Sequence, residues 1–334
     1  MKRELLLWML MGIMGAMACV SCSSEKKADE HKEATAKVQS APYELLVVAD
    51  KEWLKSGAGQ ALVDVVSAPI EGLPQGEPNF RVTYIDPFAF KGTFKTYANI
   101  VQARIGQKYE KPALSWQRNV YAQPQLMVLI DAPDNESFMQ FMAANREKVL
   151  SMLNEHEFRR ERNLLKKKHS GVVNTQAQKQ LGLSIFAPPD VDDIKVGKNF
   201  FWASASKQEF RLNVCLYALP LQTEMTLEQM VAARDSVMKV NIPGERDDQW
   251  METDPRTVVG EAVDFNGQSI MSMRGLWDMR NDAMGGPFVC YYYPDEPNNR
   301  LVVAEGFVFA PEENKRALIR QLEAALQTVT LQAK

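Results

Sequence analysis

The chain has 334 residues, 39 basic and 42 acidic, for a formal net charge of −3. Mild acidity argues against nucleic-acid binding, and the length suits one large domain or two ordinary ones. Four cysteines and three histidines, none in metal-ligand spacing, leave no metal centre or cofactor to be expected.

Met1-Lys2-Arg3 is followed by an apolar run from Leu5 to Ala18. A basic start and a short apolar core form the pattern of a secretory signal peptide, and the run is too short for a permanent membrane span. Cys19-Val20-Ser21-Cys22 followed by Ser23-Ser24 resembles a bacterial lipobox, although Cys19 stands where leucine is usual. The expected sequence map is a signal peptide over 1–21 and a lipid on Cys22, with Ala16-Met17-Ala18-Cys19 as a second register. Residues 22–40 are charged and lack aromatics, which predicts a disordered tether.

Two α+β units are expected, over 41–170 and 171–334, built of predominantly antiparallel sheets with helices on one face. Tyr43–Ala49, Phe80–Ile85, Asn99–Ile105 and Leu126–Ile130 read as strands, the last as a central one. Gln60–Ser67 reads as a helix, and Gly57-Ala58-Gly59 before it as a loop. A long helix opens at Pro133-Asp134 and runs toward Lys168, with a basic far end at Arg159–Lys168, and Gly171 closes it.

In the second unit Leu183–Phe186, Asn199–Ser204 and Phe210–Leu216 read as strands, with Lys207-Gln208 as a turn. Thr226 caps a helix. Val258–Phe265 and Gln268–Met273 flank Asn266-Gly267, a strong hairpin signal. Phe288–Tyr293 and Arg300–Phe309 form another hairpin, and Pro311 opens a final helix. Both units therefore end strand, Ala-Pro-acid, helix. Duplication of one α+β unit and convergence on a favoured helix start both account for that echo.

No nucleophile elbow, His-Glu-x-x-His or phosphate loop occurs, so no catalytic residue is assigned. His156 between Glu155 and Glu157 reads as part of a solvated helix face. Cys215 and Cys290 are candidates for a disulfide or for two separate buried thiols. The richest segment is Met273–Asp295. It nominates Arg274, Trp277, Asp278, Arg280, Tyr291 and Tyr293 as a binding cleft, with strand packing as the plain alternative. Asp254, Glu261, Asp264 and Asp278 would be the acids of a hydrolase.

From Ser21-Cys22-Ser23-Ser24 through Tyr43–Asp50 to the closing Ala310-Pro311-Glu312-Glu313-Asn314 helix, the chain resembles an uncharacterised lipoprotein family of Bacteroidetes, known only as a domain of unknown function. The resemblance implies an envelope lipoprotein and supplies no established active site. Only lipidation at Cys22 carries over. Separately, the expected address is the outer membrane, with the N-terminal lipid as anchor and the periplasmic or surface face open, and the expected ligand is an envelope protein or glycan. The leading expectation is a non-catalytic binding protein. An envelope hydrolase and a structural protein of outer-membrane assembly are the alternatives.

Overall fold

The computed structural model describes residues 36–205, 211–222, 224–265 and 267–332. The expected signal peptide, Cys22, the expected turn at Lys207-Gln208 and Asn266 lie outside them. No helix among the described residues is long and apolar enough to cross a membrane. Residues 36–40, read as the end of the tether, lie along the first unit. There Val38 N donates to Gln123 O, and Gln39 N to Thr96 O.

The first unit holds β1 (Glu44–Val48), α1 (Gly57–Val66), β2 (Arg81–Ile85), β3 (Asn99–Ile105), β4 (Ala113–Arg118), β5 (Leu126–Ala132) and α2 (Asn135–Lys167). Its sheet runs β2-β1-β3-β5-β4, parallel except where β4 meets β5. The apolar run of β5 is inside the sheet, one place from its edge, and β3 is the middle strand. Leu62 and Val66 of α1 and Phe138, Met142 and Val149 of α2 cover one face over Leu45, Val47, Val101 and Val128.

The expected glycine loop is instead the first turn of α1, capped by the Ser56 side chain. At Gly59 a Cβ would sit 2.3 Å from the Trp53 carbonyl oxygen. The glycine there admits close packing of the preceding turn and has no ligand role to explain.

Helix α2 has 33 residues, against seven in β5. At ~1.5 Å per helical residue it is about twice as long as the strand it follows. Its second half therefore projects beyond the first sheet and packs Phe158 and Leu165 on the second unit. Gly171 begins α3 (Gly171–Leu181) rather than closing α2, because Ser170 N-caps it and accepts from Val173 N.

The second unit continues with β6 (Leu183–Ser184), β7 (Val191–Gly197), β8 (Phe200–Ala205), β9 (Arg211–Pro220), α4 (Leu227–Asn241), β10 (Met251–Phe265), β11 (Gln268–Met279), β12 (Gly285–Asp295), β13 (Arg300–Phe309), α5 (Arg316–Leu326) and β14 (Thr330–Leu331). Seven of its strands form an antiparallel sheet, β10-β11-β12-β13-β9-β8-β7. The short β6 pairs with β14.

The α+β class with mostly antiparallel sheets is as expected. Helices lie on one face of the first sheet but on both faces of the second: α3 and α5 on one, α4 on the other. Strands β9, β12 and β13 are apolar on both sides and need two covers. The two sheets differ in strand order and direction, so the units are not similar copies. The echoed Ala-Pro-acid segments differ as well. Asp134 caps α2 directly, whereas α5 starts five residues after Pro311.

Candidate functional site

Where α2 leaves the first sheet, a cleft of about 1100 Å³ opens between the units. One wall is the second half of α2, with Ser151, Asn154, Phe158, Arg162 and Lys166. The opposite wall is the end of β10, with Glu261, Val263, Asp264 and Phe265. The loop Ala68–Glu71 with Asn79, the segment from Arg320 to Thr330, and Phe186, Arg274 and Tyr291 supply the remainder.

The floor is a connected set of charges, with Glu323 and Arg320 buried and Arg274 and Arg162 partly so. Glu323 Oε1 accepts from Arg274 Nη2 at 2.7 Å and from Tyr291 Oη at 3.1 Å. Its other oxygen accepts from Arg320 Nη1 at 2.8 Å. Arg320 Nη2 then donates to Asn79 Oδ1 at 2.6 Å, tying the second unit to the first. On the far side Gln327 donates to Tyr291 Oη and accepts from Arg162, which also donates to Glu155 at 2.8 Å.

Burial alone would raise the Glu323 carboxyl, but Arg274 and Arg320 outweigh it and hold the group at about 2. Burial, reinforced by the Glu323 charge, pushes the Tyr291 phenol up. The floor is thus a fixed carboxylate between two guanidiniums. It can present charge and hydrogen bonds, but Glu323 cannot serve as a proton donor near neutrality. Two buried polar atoms of lining residues, Asn154 Oδ1 and Arg320 Nε, have no hydrogen-bond partner among the described residues.

The six residues nominated from sequence separate. Arg274 and Tyr291 line the cleft. Tyr293 lies on the same sheet face and donates to the Leu326 carbonyl at 2.8 Å. Trp277 points to the other face, where it packs on Phe307 and donates to Val308 O. Strand alternation requires this, since 274 and 277 differ in parity. Asp278 is exposed, and Arg280 stacks over Trp250 outside the cleft. Gly285 and Gly286 are part of β12, where Gly286 lets the strand pass against Val308 O.

Of the four acids, Glu261 and Asp264 reach the cleft, while Asp254 is held by Arg256 at 2.9 Å and Asp278 is elsewhere. Of the basic run, Arg162 and Lys166 line the cleft, and Arg159 and Arg160 pair with Glu155 and Glu157 of their own helix. Arg320, Glu323 and Gln327 were missed in the sequence. Their signal is a polar stripe at i, i+3 and i+7 beside the apolar stripe Ile319, Leu322 and Leu326.

Two other polar clusters are closed to solvent. His156, expected on a solvated face, is 5 % exposed, because that part of α2 packs against the start of β3. Its Nδ1 lies 2.8 Å from Asn99 Oδ1. On the α4 face Arg234 and Glu305, both 0 % exposed, pair at 2.7 Å over the Phe288 ring. Cys215 and Cys290 flank Glu305 on the two neighbouring strands, and both thiols are free. Two strand spacings put them about 9–10 Å apart, beyond the ~7 Å reach of a disulfide.

Two family models match the chain. Residues 170–328 match a domain of unknown function (DUF4837), and residues 39–166 match a second domain of unknown function (DUF8532). No curated protein matches. Among solved structures, the Ran-binding protein Mog1p of Saccharomyces cerevisiae is similar at 12 % identity and a TM-score of 0.32, over 45 % of this chain and 89 % of that one. A point mutant of protein Mog1 gives a TM-score of 0.31 at 12 % identity, over 45 % and 90 %. Likeness at that level carries no functional argument.

Proposed function

With only domains of unknown function along the chain, we infer that it is a lipid-anchored protein of the bacterial cell envelope that binds a partner molecule without transforming it. Cys22 carries the lipid, the outer membrane is the expected site, and the cleft between the units takes the ligand. Support for the anchor is the basic, apolar and Ser-Cys-Ser-Ser order of residues 1–24. The single observation that carries the binding reading is the cleft itself. It is built from several separated chain segments around the Arg274–Glu323–Arg320 set. A pocket with a few convergent polar groups is the usual form of a binding site.

Two experiments test this. In the expressing bacterium Cys22→Ala is expected to abolish labelled-palmitate incorporation and release the protein from membranes. Unchanged labelling would contradict the anchor. Native mass spectrometry of the protein purified from its own envelope is expected to show a bound mass. Ser151→Trp, which fills the cleft from an exposed helical position, should remove it. Absence of a bound mass, or its persistence in Ser151→Trp, would contradict cleft binding.

A further inference from the structure

The cleft is bounded by a strand edge. Val263, Asp264 and Phe265 are consecutive residues of β10, and all three line it. Consecutive strand residues point to opposite faces, so a space that touches all three opens on the edge of the strand. That edge is the end of the seven-stranded sheet.

The register says which backbone groups face out. Phe265 pairs with Gln268 across a two-residue connection, and in such hairpins the closing pair exchanges both hydrogen bonds. Phe265, Val263 and Glu261 therefore bond inward to β11, and Gly260, Ala262 and Asp264 present N–H and C=O outward. All three are exposed, and no hydrogen bond from another described residue reaches their backbone. Glu261, Val263 and Phe265 form the row on the cleft face, one carboxylate followed by two apolar side chains.

We propose that the cleft binds an extended segment of a partner protein, which adds to the β10 edge as an antiparallel strand. The segment places a basic side chain opposite Glu261 and apolar ones opposite Val263 and Phe265. This deepens the binding reading above and rests on it. Charge complementarity selects the partner: Glu261 is half exposed, and its contact with Arg274 is long, at 3.4 Å. A second copy of this chain fits poorly, since joining two β10 edges would bring Glu261 and Asp264 of both copies to one seam. At about 1100 Å³ the space exceeds the usual small-molecule pocket and suits several residues of extended chain.

The probe is a fluorescein-labelled heptapeptide, Thr-Val-Thr-Val-Thr-Lys-Thr, titrated into the full chain in detergent and followed by anisotropy. Saturable binding is expected. It should weaken at least tenfold when alternate backbone amides of the peptide are N-methylated, which removes strand pairing but keeps every side chain. It should weaken similarly in Ala262→Pro, which deletes an outward N–H and leaves the ladder to β11 intact; circular dichroism checks its fold. The N-methyl peptide needs no protein variant, so the test stands even if the proline disturbs folding. No binding, or binding indifferent to N-methylation, overturns strand addition. If the bound mass from the envelope is then a glycan lost in Ser151→Trp, cleft binding survives and only the peptide assignment fails.

Discussion

His156 carries a pH dependence that its neighbours impose. Burial, then the charges of Arg160, Arg118 and Arg159, lower it from 6.5 to about 3. The Asn99 carbonyl oxygen accepts from Nδ1, so the folded protein holds the neutral imidazole with its proton on that nitrogen. The unfolded chain binds a proton near pH 6.5 and the folded chain does not. The His156 contribution is therefore complete above pH 6.5 and declines as pH falls toward 3, with about 3 kcal/mol lost by pH 4.5. Urea melts at pH 7.5 and pH 4.5 should show this loss in the parent and a much smaller one in His156→Gln. Equal losses would contradict it. Glu323 acts over a lower range, its stabilisation present above about 4.5 and lost only as pH falls toward 2.

The Arg234–Glu305 pair sets a different test at the same scale. Arg234 also donates to Thr253 at 2.8 Å, and Glu305 takes a contact from Cys290 Sγ at 3.2 Å. Removing either charge strands the other in the core, at a cost of about 3–5 kcal/mol. Glu305→Gln and Arg234→Met are each expected to lose that much by chemical denaturation. The double variant should lose clearly less than their sum. Strict additivity would show that the pair is not coupled.

Among the elements, α5 depends on a residue far away in the chain. Lys315, its N-cap residue, provides no side-chain cap. Instead Glu77 of the first unit accepts from Lys315 N at 2.7 Å and Arg316 N at 3.1 Å, 238 and 239 positions away. Glu77→Ala should lower stability by about 1–2 kcal/mol, with Glu77→Gln losing less, as measured by thermal melts. No loss would mean that the cap is replaceable by solvent.

That cap also explains what the sequence concealed. Thr226 was legible as a cap because its partner Gln229 is three residues on. The start of α5 was misread at Pro311 because its cap is non-local. The turn ends of the Asn-Gly hairpin were read correctly at Phe265 and Gln268, but β10 begins at Met251 rather than Val258 and β11 runs on to Met279 rather than Met273. Strands β4 and β7, half-buried or charged at sheet edges, carry no apolar run, and α3 buries just Val173, Ala177 and Leu181. In the candidate site Arg274 and Tyr291 were legible as a local cluster. Arg320, Glu323 and the α2 wall were not, because only the fold brings them together.

For the molecule as a whole, α2 is shared. Its first half belongs to the core of the first sheet, and its second half to the junction with α5. Asn79 and Glu77 add polar ties across the same junction. The two units should therefore melt in one cooperative transition by calorimetry. Two resolved transitions would show that α2 does not couple them. The same coupling fixes the width of the cleft, because both of its walls belong to this joined body.

The most direct measurement is site-specific photo-cross-linking in cells that express the protein. A benzophenone amino acid would be placed at Ser151 and Asp264 in the cleft, and at Phe88, which is 82 % exposed and lies outside it. A discrete adduct shared by the two cleft positions and absent from Phe88 is the expected result. No adduct from the cleft, or the same pattern from all three positions, would contradict a ligand-binding role for the junction.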